Sequence, residues 1–252
     1  MSKLTDSFLP NVVAIVQIRM GSARLPKKAM FEVLGKPLLA YLADRLAEVP
    51  AINSFCFATT TSQEDDVIEE FCKRNGYVCF RGSAENVLKR YHDAAISCLA
   101  DVIVRITADC PLMDPMVTDR VIQFYLDHLG EFDYVSNVQE RSFPRGLDTE
   151  VFSMEALKKI HCEVVDKSEQ EHVTLHIHRN MDKFNVGSLL NEEDLSYHRW
   201  TVDTKEDFEL IKLIIESIVE KKKRFRMEFI LELFKEHPEW LRINDDIEQK
   251  EG

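Results

Sequence analysis

Apolar residues follow two spacings that alternate through the first half of this chain. Continuous runs of apolar and β-branched residues, which are typical of strands buried on both faces of a sheet, lie at residues 12–18, 54–60, 77–80 and 101–107. Between these runs apolar residues recur every three or four positions, as in amphipathic helices, over residues 37–49, 64–76 and 83–99. This alternation predicts an α/β fold with a mostly parallel sheet and helices on both faces.

The pattern loosens beyond this point but continues toward the C-terminus. Further strands are predicted at residues 133–137, in the first half of 149–160, and at 183–189 and 199–203. Further helices are predicted at residues 115–129, in the second half of 149–160, and at 168–178, 204–219 and 221–241. Gly76 is assigned to the end of a helix, and Ser83, Asp114 and Thr204 are assigned as N-caps.

Length and composition are those of a globular chain. Its 252 residues, 45% of them hydrophobic, suffice for the core of one large domain or two small ones. The sequence has no repeat, no low-complexity linker and no break in composition. We therefore expect a single domain over residues 1–252, with a substrate-binding excursion at about residues 142–190 and a polar, frayed tail from Arg242.

Charge and cysteine content argue against several classes of function. A net charge of −12 and an isoelectric point near 5.2 disfavour a nucleic-acid or membrane-surface binder, because both need a broad basic face. No apolar run reaches the roughly 18 residues of a membrane span, and the N-terminus lacks the apolar core of a secretory signal. The six cysteines show no C-x-x-C pair and no zinc spacing, so we interpret them as buried thiols of a cytoplasmic protein.

The first apolar run ends in a loop, RMGSARLPKK, that concentrates positive charge in an acidic chain. Gly21 and Ser22 permit a tight turn in which successive backbone N–H groups line an anion site. Arg19 and Arg24 carry planar guanidinium groups whose paired N–H donors match phosphate oxygens, and Lys28 carries a mobile ammonium charge. The loop fits neither the Walker nor the dinucleotide pattern. Because ligands of open parallel sheets bind beyond the carboxyl ends of strands, we favour a phosphate site over a solvated basic loop.

Two carboxylates are candidates to hold a metal ion beside this loop. Asp109 follows the fourth apolar run, where a carboxylate opposite a phosphate site suits Mg²⁺; its alternative role is that of a turn residue before Pro111. Asp203 ends the last predicted strand and is a candidate second ligand. Its alternative role is that of a neighbour of a capping box formed by Thr204 and Asp207.

Other polar residues near predicted strand ends and turns have open alternatives. Arg81 and Gly82 end the third run and are assigned to nucleotide binding, through the base or a phosphate. Arg145 and Asp148 flank a glycine turn from which they can reach a substrate. Cys110 has no histidine nearby in sequence, which argues against a nucleophile.

Three histidines lie close together in EHVTLHIH, at His172, His176 and His178. The first two share one face of the predicted helix, a spacing that suits zinc, but His178 would point elsewhere. We favour an exposed helix or an imidazole that faces a substrate pocket, with Glu171 and His172 as the substrate-binding pair.

Taken in order along the chain, these motifs resemble a known family. IVQIRMGSARLPKKAM resembles the opening motif of the cytidylyltransferases that include CMP-KDO synthetases and acylneuraminate cytidylyltransferases, and most closely their spore-coat-polysaccharide branch, which reads R-x-x-S-x-R-L-P-G-K. The resemblance continues through FATT, FRGSAENVLKRYHDAA, IVRITADCPLMDP, DYVSN, FPRGLDTEVF, EQEHVT and RWTVDTKEDF. It spans roughly residues 12–218.

The resemblance implies a Rossmann-like nucleotidyltransferase that uses CTP and Mg²⁺. It would transfer a cytidylyl group to a small anionic sugar-type acceptor, a sugar acid or sugar phosphate, and release pyrophosphate. The product would be a CMP- or CDP-activated precursor for surface polysaccharide, and the excursion would be a candidate homodimer arm. The residues matched to family positions are Arg19, Ser22, Arg24 and Lys28 for the triphosphate, Asp109 for the metal, and Asp203 for the last aspartate of a C-terminal motif.

Two positions depart from the family pattern. The usual glycine before the motif's lysine is Lys27, and the first aspartate of the C-terminal motif is Thr201, which leaves one carboxylate fewer for a second Mg²⁺. Two alternatives stay open. One is the same fold using UTP or dTTP on a sugar phosphate, and the other is a catalytically silent nucleotide-binding protein, which Thr201 favours.

Overall fold

A computed structural model describes residues 9–22 and 24–247 of the chain. Its strands are β1 (Val12–Gln17), β2 (Glu32–Val33), β3 (Lys36–Pro37), β4 (Ser54–Thr60), β5 (Val78–Gly82), β6 (Val102–Thr107), β7 (Tyr134–Ser136), β8 (Glu150–Ser153) and β9 (Val186–Ser188). Its α-helices are α1 (Leu38–Leu46), α2 (Asp66–Asn75), α3 (Val87–Ser97), α4 (Pro115–Asp127), α5 (Met154–Glu163), α6 (Lys167–Glu171), α7 (Leu175–Arg179), α8 (Lys205–Glu220) and α9 (Met227–Glu236). The sequence predictions for the N-terminal eight residues and the last five lie outside the described residues.

The central sheet has seven strands in the order β5-β4-β1-β6-β8-β7-β9. Strand β8 runs antiparallel to both of its neighbours, and the other pairs in this sheet are parallel. The α/β fold with a mostly parallel sheet is therefore confirmed, and the arrangement is Rossmann-like. Residues 142–190 supply β8 and β9, so the predicted excursion contributes two strands of the central sheet.

Strand β1 shows why the apolar runs lack polar alternation. Val12, Ala14 and Val16 face a core shared with α1, α2 and α4, while Val13 and Ile15 face a second core shared with α3 and α5. Both faces of the strand are thus removed from water. A third core packs α8 and α9 around the fully buried Trp200.

The predicted caps are confirmed at three positions and wrong at one. Gly76 ends α2 with φ 72°, Asp114 accepts from the first turn of α4, and Thr204 forms a capping box with Asp207. Ser83 does not cap α3. The helix begins four residues later because Asn86 takes that role, accepting from Lys89 N at 2.7 Å.

Two predicted elements are broken by tertiary contacts. The helix predicted over residues 168–178 is two short helices, α6 and α7. The chain turns between them because Val173 is fully buried and the Thr174 hydroxyl donates to Glu150 at 2.9 Å. The strand predicted at residues 199–203 is irregular, because Trp200 N donates to Arg145 O and Val202 N donates to Asp109 O, so that its backbone is shared between two segments.

The helix predicted over residues 221–241 is shorter, namely α9 followed by a 3-10 turn at Pro238–Arg242. No helix in the described part of the chain is long and apolar enough to cross a bilayer. Cys56, Cys72 and Cys110 are buried as predicted, and Cys79 and Cys98 are half-buried. Cys162 is exposed, so the prediction of a buried thiol is wrong there.

Candidate active site

A cleft of about 290 Å³ opens at the carboxyl ends of β1 and β6. Polar residues that follow these strands meet there with the loop after β1 and the turn between α6 and α7. The residues that line the cleft are Gln17, Ile18, Arg19, Ser22, Lys28, Ala29, Val87, Arg90, Thr107, Ala108, Asp109, Glu171, His172 and Asp203. The rule that ligands bind beyond strand ends thus locates a cavity that joins residues far apart in sequence.

The loop after β1 is held by hydrogen bonds of its own backbone. Met20 N donates to the buried Asp65 Oδ1 at 2.7 Å. The N–H groups of Ser22 and Lys27 both donate to the Met20 carbonyl, at 3.0 and 2.9 Å. The N–H of Ser22 is therefore engaged within the loop, and the prediction that it lines an anion site is wrong at this position.

Two positions in this loop have special backbone requirements. A Cβ on Gly21 would lie 2.8 Å from Glu64 Oε1, so any larger residue would push that side chain away. Lys27 adopts φ 64°, in the left-handed region that favours glycine. This conformation accounts for the usual glycine at that position of the motif, and makes Lys27 a strained substitute.

Lys28 lies between the two predicted metal carboxylates. Its Nζ is 2.7 Å from Asp203 Oδ1 and 3.2 Å from Asp109 Oδ2. Burial acts to lower the pKa of Lys28, but the charges of Asp109 and Asp203 outweigh it and raise that pKa above 10.5. Burial likewise acts to raise the pKa of Asp109, but Lys28 and a hydrogen bond from Thr107 outweigh it and lower that pKa. Lys28 and Asp109 are therefore both charged at neutral pH.

Asp203 receives two further cations. Arg24 Nη2 lies 2.8 Å and Arg199 Nη2 lies 3.2 Å from its Oδ2. Arg199 is itself anchored by the fully buried Asp207, with Nε 2.8 Å from Oδ1 and Nη2 2.9 Å from Oδ2. The two loop cations Arg24 and Lys28 thus converge on one carboxylate, which joins the start of the chain to its C-terminal third.

Thr201 connects the two carboxylate-bearing segments. Its hydroxyl donates to the Asp109 carbonyl at 3.0 Å, beside the bond from Val202 N to the same oxygen at 2.8 Å. At the position where the resembled pattern has an aspartate, this chain therefore has a threonine whose hydrogen bond links the loop after β6 to the segment before α8.

The carboxylate oxygens of Asp109 and Asp203 are hard donors, which suit Mg²⁺. Within residues 9–22 and 24–247, no group of three or more His, Cys, Asp and Glu is arranged to hold a metal ion. Mg²⁺ commonly binds through one or two carboxylates and completes its shell with phosphate oxygens and water. The residues present fit such a shared site rather than a cage built from protein alone.

The structure does not bring Arg81 and Gly82 into the cleft. Arg81 Nη1 pairs with Asp66 and Glu69 of α2, and its other nitrogens donate to backbone carbonyls at the end of β4. A Cβ on Gly82 would lie 3.0 Å from Arg90 Cγ, so this glycine is needed for packing. Arg81 is kept out of the cleft because it pairs with carboxylates of α2, a contact that the sequence did not predict.

Arg145 and Asp148 also lie outside the cleft. Asp148 accepts both terminal nitrogens of Arg141, at 2.7 and 3.0 Å. Arg145 lines a separate cavity of about 200 Å³ with His198 and Phe234. Asp148 is thus held by an arginine of the loop between β7 and β8, and Arg145 lies beside residues of the C-terminal third.

Glu171 and His172 stand on the rim of the cleft. The break between α6 and α7 places both side chains there, and Glu171 Oε1 lies 3.4 Å from Arg19 Nη2. His176 bonds to Glu169 at 2.8 Å, and His178 contacts the Tyr134 hydroxyl at 3.2 Å. The three histidines thus have separate surroundings, which disfavours a shared zinc site.

Cys110 is not suited to act as a nucleophile. It is buried, and its Sγ lies 3.4 Å from Thr107 Oγ1. Burial first, and then the charge of Asp109, raise the pKa of its thiol well above the ordinary value. A protonated thiol is a poor nucleophile.

Sequence reasoning missed Gln17 and Arg90. Gln17 Oε1 accepts from Arg105 Nη2 at 3.1 Å, and Arg105 is held in turn by Glu150. Arg90 falls on the apolar stripe of α3 with Val87, and a charged residue on such a stripe is the signal that marks it in the sequence.

Comparison with known proteins identifies the family of this chain. A family model described as cytidylyltransferase matches residues 13–250. The spore coat polysaccharide biosynthesis protein SpsF of Bacillus subtilis is 32% identical over 218 residues, which cover 84% of this chain and 89% of that protein. A solved cytidylyltransferase structure from Leptospira borgpetersenii is 33% identical with a TM-score of 0.87, covering 96% of this chain and 100% of that one.

A more distant solved structure shares the fold alone. CMP:2-keto-3-deoxy-manno-octonic acid synthetase, solved as a complex with CTP, is 15% identical with a TM-score of 0.61. The match covers 82% of this chain and 99% of that one.

Proposed function

Because this chain belongs to the cytidylyltransferase family and is a nucleotidyltransferase, we propose that it transfers the cytidylyl group of CTP to a small anionic sugar-type acceptor. Mg²⁺ is the proposed cofactor. The proposed products are a CMP- or CDP-activated sugar for surface polysaccharide and pyrophosphate. The observation that carries this proposal is the meeting of Lys28, Asp109 and Asp203 at the strand ends.

The reaction asks the protein for alignment and charge neutralisation. An acceptor oxygen forms a bond to the α-phosphorus while the bond from that phosphorus to the pyrophosphate oxygen breaks. Lys28 and Arg24 lie within 3 Å of Asp203 and can turn from it to phosphate oxygens. A bound Mg²⁺ would neutralise developing negative charge, and Asp109 and Asp203 are the residues that would hold it.

The acceptor's chemistry decides whether a base is needed. A carboxylate or phosphate acceptor is already ionised and attacks without losing a proton. A hydroxyl acceptor would need its proton removed, and Asp203 is the carboxylate placed to receive it. Glu171 and His172 on the rim are the proposed contacts of the acceptor.

The proposal is tested by pyrophosphate release with Mg²⁺ and each of CTP, UTP and dTTP, against a panel of sugar acids and sugar phosphates. We expect turnover with CTP. If the protein turns over UTP or dTTP faster than CTP, that nucleotide replaces CTP as the proposed donor. Failure of the protein to bind any nucleoside triphosphate with Mg²⁺ would refute the proposal, and binding without turnover of any acceptor would support a silent nucleotide-binding protein.

A further inference from the structure

A second cavity lies apart from the cleft. It has a volume of about 200 Å³ and is enclosed by the segment before α8, by α8 and α9, and by the 3-10 turn at Pro238–Arg242 with the residues that follow it. Within the part of the chain that the structure describes, no residue lines both this cavity and the cleft. The proposed nucleotide site therefore gives this cavity no role.

Arg145 brings a positive charge to this cavity. Its backbone is fixed, because Arg145 N donates to the His198 carbonyl at 3.0 Å and Arg145 O accepts from Trp200 N at 2.6 Å. Its guanidinium, by contrast, forms no ion pair or hydrogen bond with any described residue, whereas Arg141 is paired with Asp148. Burial, and then the charge of Arg141, lower the pKa of Arg145. A bound anion would therefore relieve an uncompensated charge.

His198 brings a buried polar atom to the same cavity. The residue is 4% exposed, and its Nδ1 has no hydrogen-bond partner among the described residues. Burial lowers the pKa of His198 to about 4, so the ring is neutral at pH 7. The ring packs between two others, with its centre 4.4 Å from that of Tyr197 and 4.8 Å from that of Phe234. An unpaired buried polar atom is unfavourable, and a polar group of a ligand would remove the penalty.

The rest of the lining indicates the chemistry of the ligand. Leu210, Phe234 and Leu241 make much of the wall apolar, which suits an apolar or aromatic body. The guanidinium of Arg145 offers two parallel N–H donors, which match the two oxygens of a carboxylate. Asp245, the only carboxylate among the described lining residues, is exposed and would repel a doubly charged anion such as phosphate. The volume is below the range of about 300–1,000 Å³ for drug-sized ligands, so the ligand is small.

We propose that this cavity is a second ligand site, where Arg145 and His198 bind a small organic carboxylate with a flat apolar body. The carboxylate accepts from the guanidinium and from His198 in the tautomer that carries its proton on Nδ1. The apolar body packs on Phe234 and its leucine neighbours. This inference goes beyond the proposed function and does not depend on it.

Arg199 connects this site to the cleft. It lines the cavity, and its Nη2 lies 3.2 Å from Asp203 Oδ2. A negative charge in the cavity attracts Arg199 and weakens its contact with Asp203, which then holds Arg24 and Lys28 more firmly. Because these two cations are the proposed triphosphate contacts, a bound carboxylate should weaken the binding of a nucleoside triphosphate, by about 5-fold.

The experiment titrates benzoate, benzyl alcohol and inorganic phosphate, followed by ligand-observed NMR, into the wild type, Arg145→Met and His198→Phe. Arg81→Met is the matched control, because that arginine pairs with α2 and lines neither cavity. We expect benzoate to bind the wild type with a Kd on the order of 1 mM, about 10-fold or more tighter than either other probe. Arg145→Met should weaken benzoate by about 10-fold or more and His198→Phe by about 3- to 10-fold, whereas Arg81→Met should change its Kd by less than about 2-fold.

Three results of these titrations would overturn the site. The first is the absence of saturable benzoate binding to the wild type up to about 20 mM. The second is an unchanged benzoate affinity in an Arg145→Met protein that circular dichroism shows to be folded. The third is phosphate binding as tight as that of benzoate, which would contradict the carboxylate class.

The connection to the cleft is measured on the wild type with CTP and Mg²⁺. Increasing benzoate should raise the Kd of CTP about 5-fold and then no further, as expected for two coupled sites. A Kd that keeps rising in proportion to benzoate would show that the probe binds in the cleft, and an unchanged Kd would refute the coupling through Arg199. If the wild type binds no CTP, it is the proposed function that fails, and the benzoate titrations still decide whether this second site exists.

Discussion

Replacing Lys28 by methionine tests the cluster on which the proposed function depends. The side chain keeps its length but loses the ammonium that lies 2.7 Å from Asp203 and 3.2 Å from Asp109. Two carboxylates are then left facing each other across the cleft with one cation fewer. We expect both the free energy of unfolding and the turnover to fall.

The magnitude follows from the geometry. At an effective dielectric constant near 20, charges at these two distances attract by about 6 and 5 kcal/mol, most of which desolvation offsets. Removing one partner of a buried pair costs about 3–5 kcal/mol. Because Lys28 is 15% exposed and Arg24 still reaches Asp203, we expect a loss at or just below the low end of this range, about 2–3 kcal/mol. Because the pKa of Lys28 is raised, its side of this stabilisation is fully present below pH 10.5 and is lost at higher pH.

Urea unfolding at pH 7, with and without about 10 mM Mg²⁺, measures the loss in free energy of unfolding. Since Mg²⁺ can replace the missing positive charge, it should stabilise Lys28→Met more than it stabilises the wild type. Turnover, followed by pyrophosphate release, should fall by about 100-fold or more, because a cation is removed from the proposed triphosphate site.

Lys27→Gly is the matched control. Lys27 is exposed and its left-handed φ favours glycine, so this variant should keep its turnover and gain up to about 1 kcal/mol of stability. A Lys28→Met protein with unchanged stability and turnover within about 3-fold of the wild type would refute the reasoning. So would a Lys27→Gly protein that loses activity.

Two further predictions concern Asp109, a proposed metal ligand, and a buried histidine. Asp109→Asn should keep the fold and lose most pyrophosphate release, by about 100-fold or more, because its charge is needed at the proposed metal and phosphate site. Circular dichroism checks the fold, and near-normal turnover would contradict the proposed role. Burial lowers the pKa of His198 from 6.5 to about 4, so the unfolded chain binds a proton more readily as pH falls between these values. The free energy of unfolding should therefore drop by up to about 3 kcal/mol from pH 6.5 to 4 in the wild type. The drop should be smaller in His198→Gln, and parallel urea titrations that show equal slopes would exclude this histidine as the cause.

Local signals in the sequence predicted the frame of the molecule well. The run at residues 12–18 is apolar at every position but Gln17, and the structure shows the reason, which is that β1 separates two cores. Thr204 and Asp207 have the spacing of a capping box and form one. Asp109 could be placed from its position alone, because the end of a parallel strand determines where the next residues point.

Contacts between distant segments could not be predicted in this way. Arg81 and Arg90 are both basic residues of one motif, yet the first is held by Asp66 and the second lines the cleft. Only the packing of α2 beside β5 distinguishes them. The break at Val173 likewise depends on Glu150, more than twenty residues away, which accepts from the neighbouring hydroxyl.

The network around Asp203 also has a kinetic consequence. Its three cations are matched by three carboxylates, namely Lys28, Arg24 and Arg199 against Asp109, Asp203 and Asp207. The electric field of such a neutral group is weak beyond a screening length of about 8 Å at physiological ionic strength. At longer range an approaching polyanion meets the net charge of −12. Added salt should therefore speed nucleotide capture rather than slow it, the reverse of an electrostatically steered encounter.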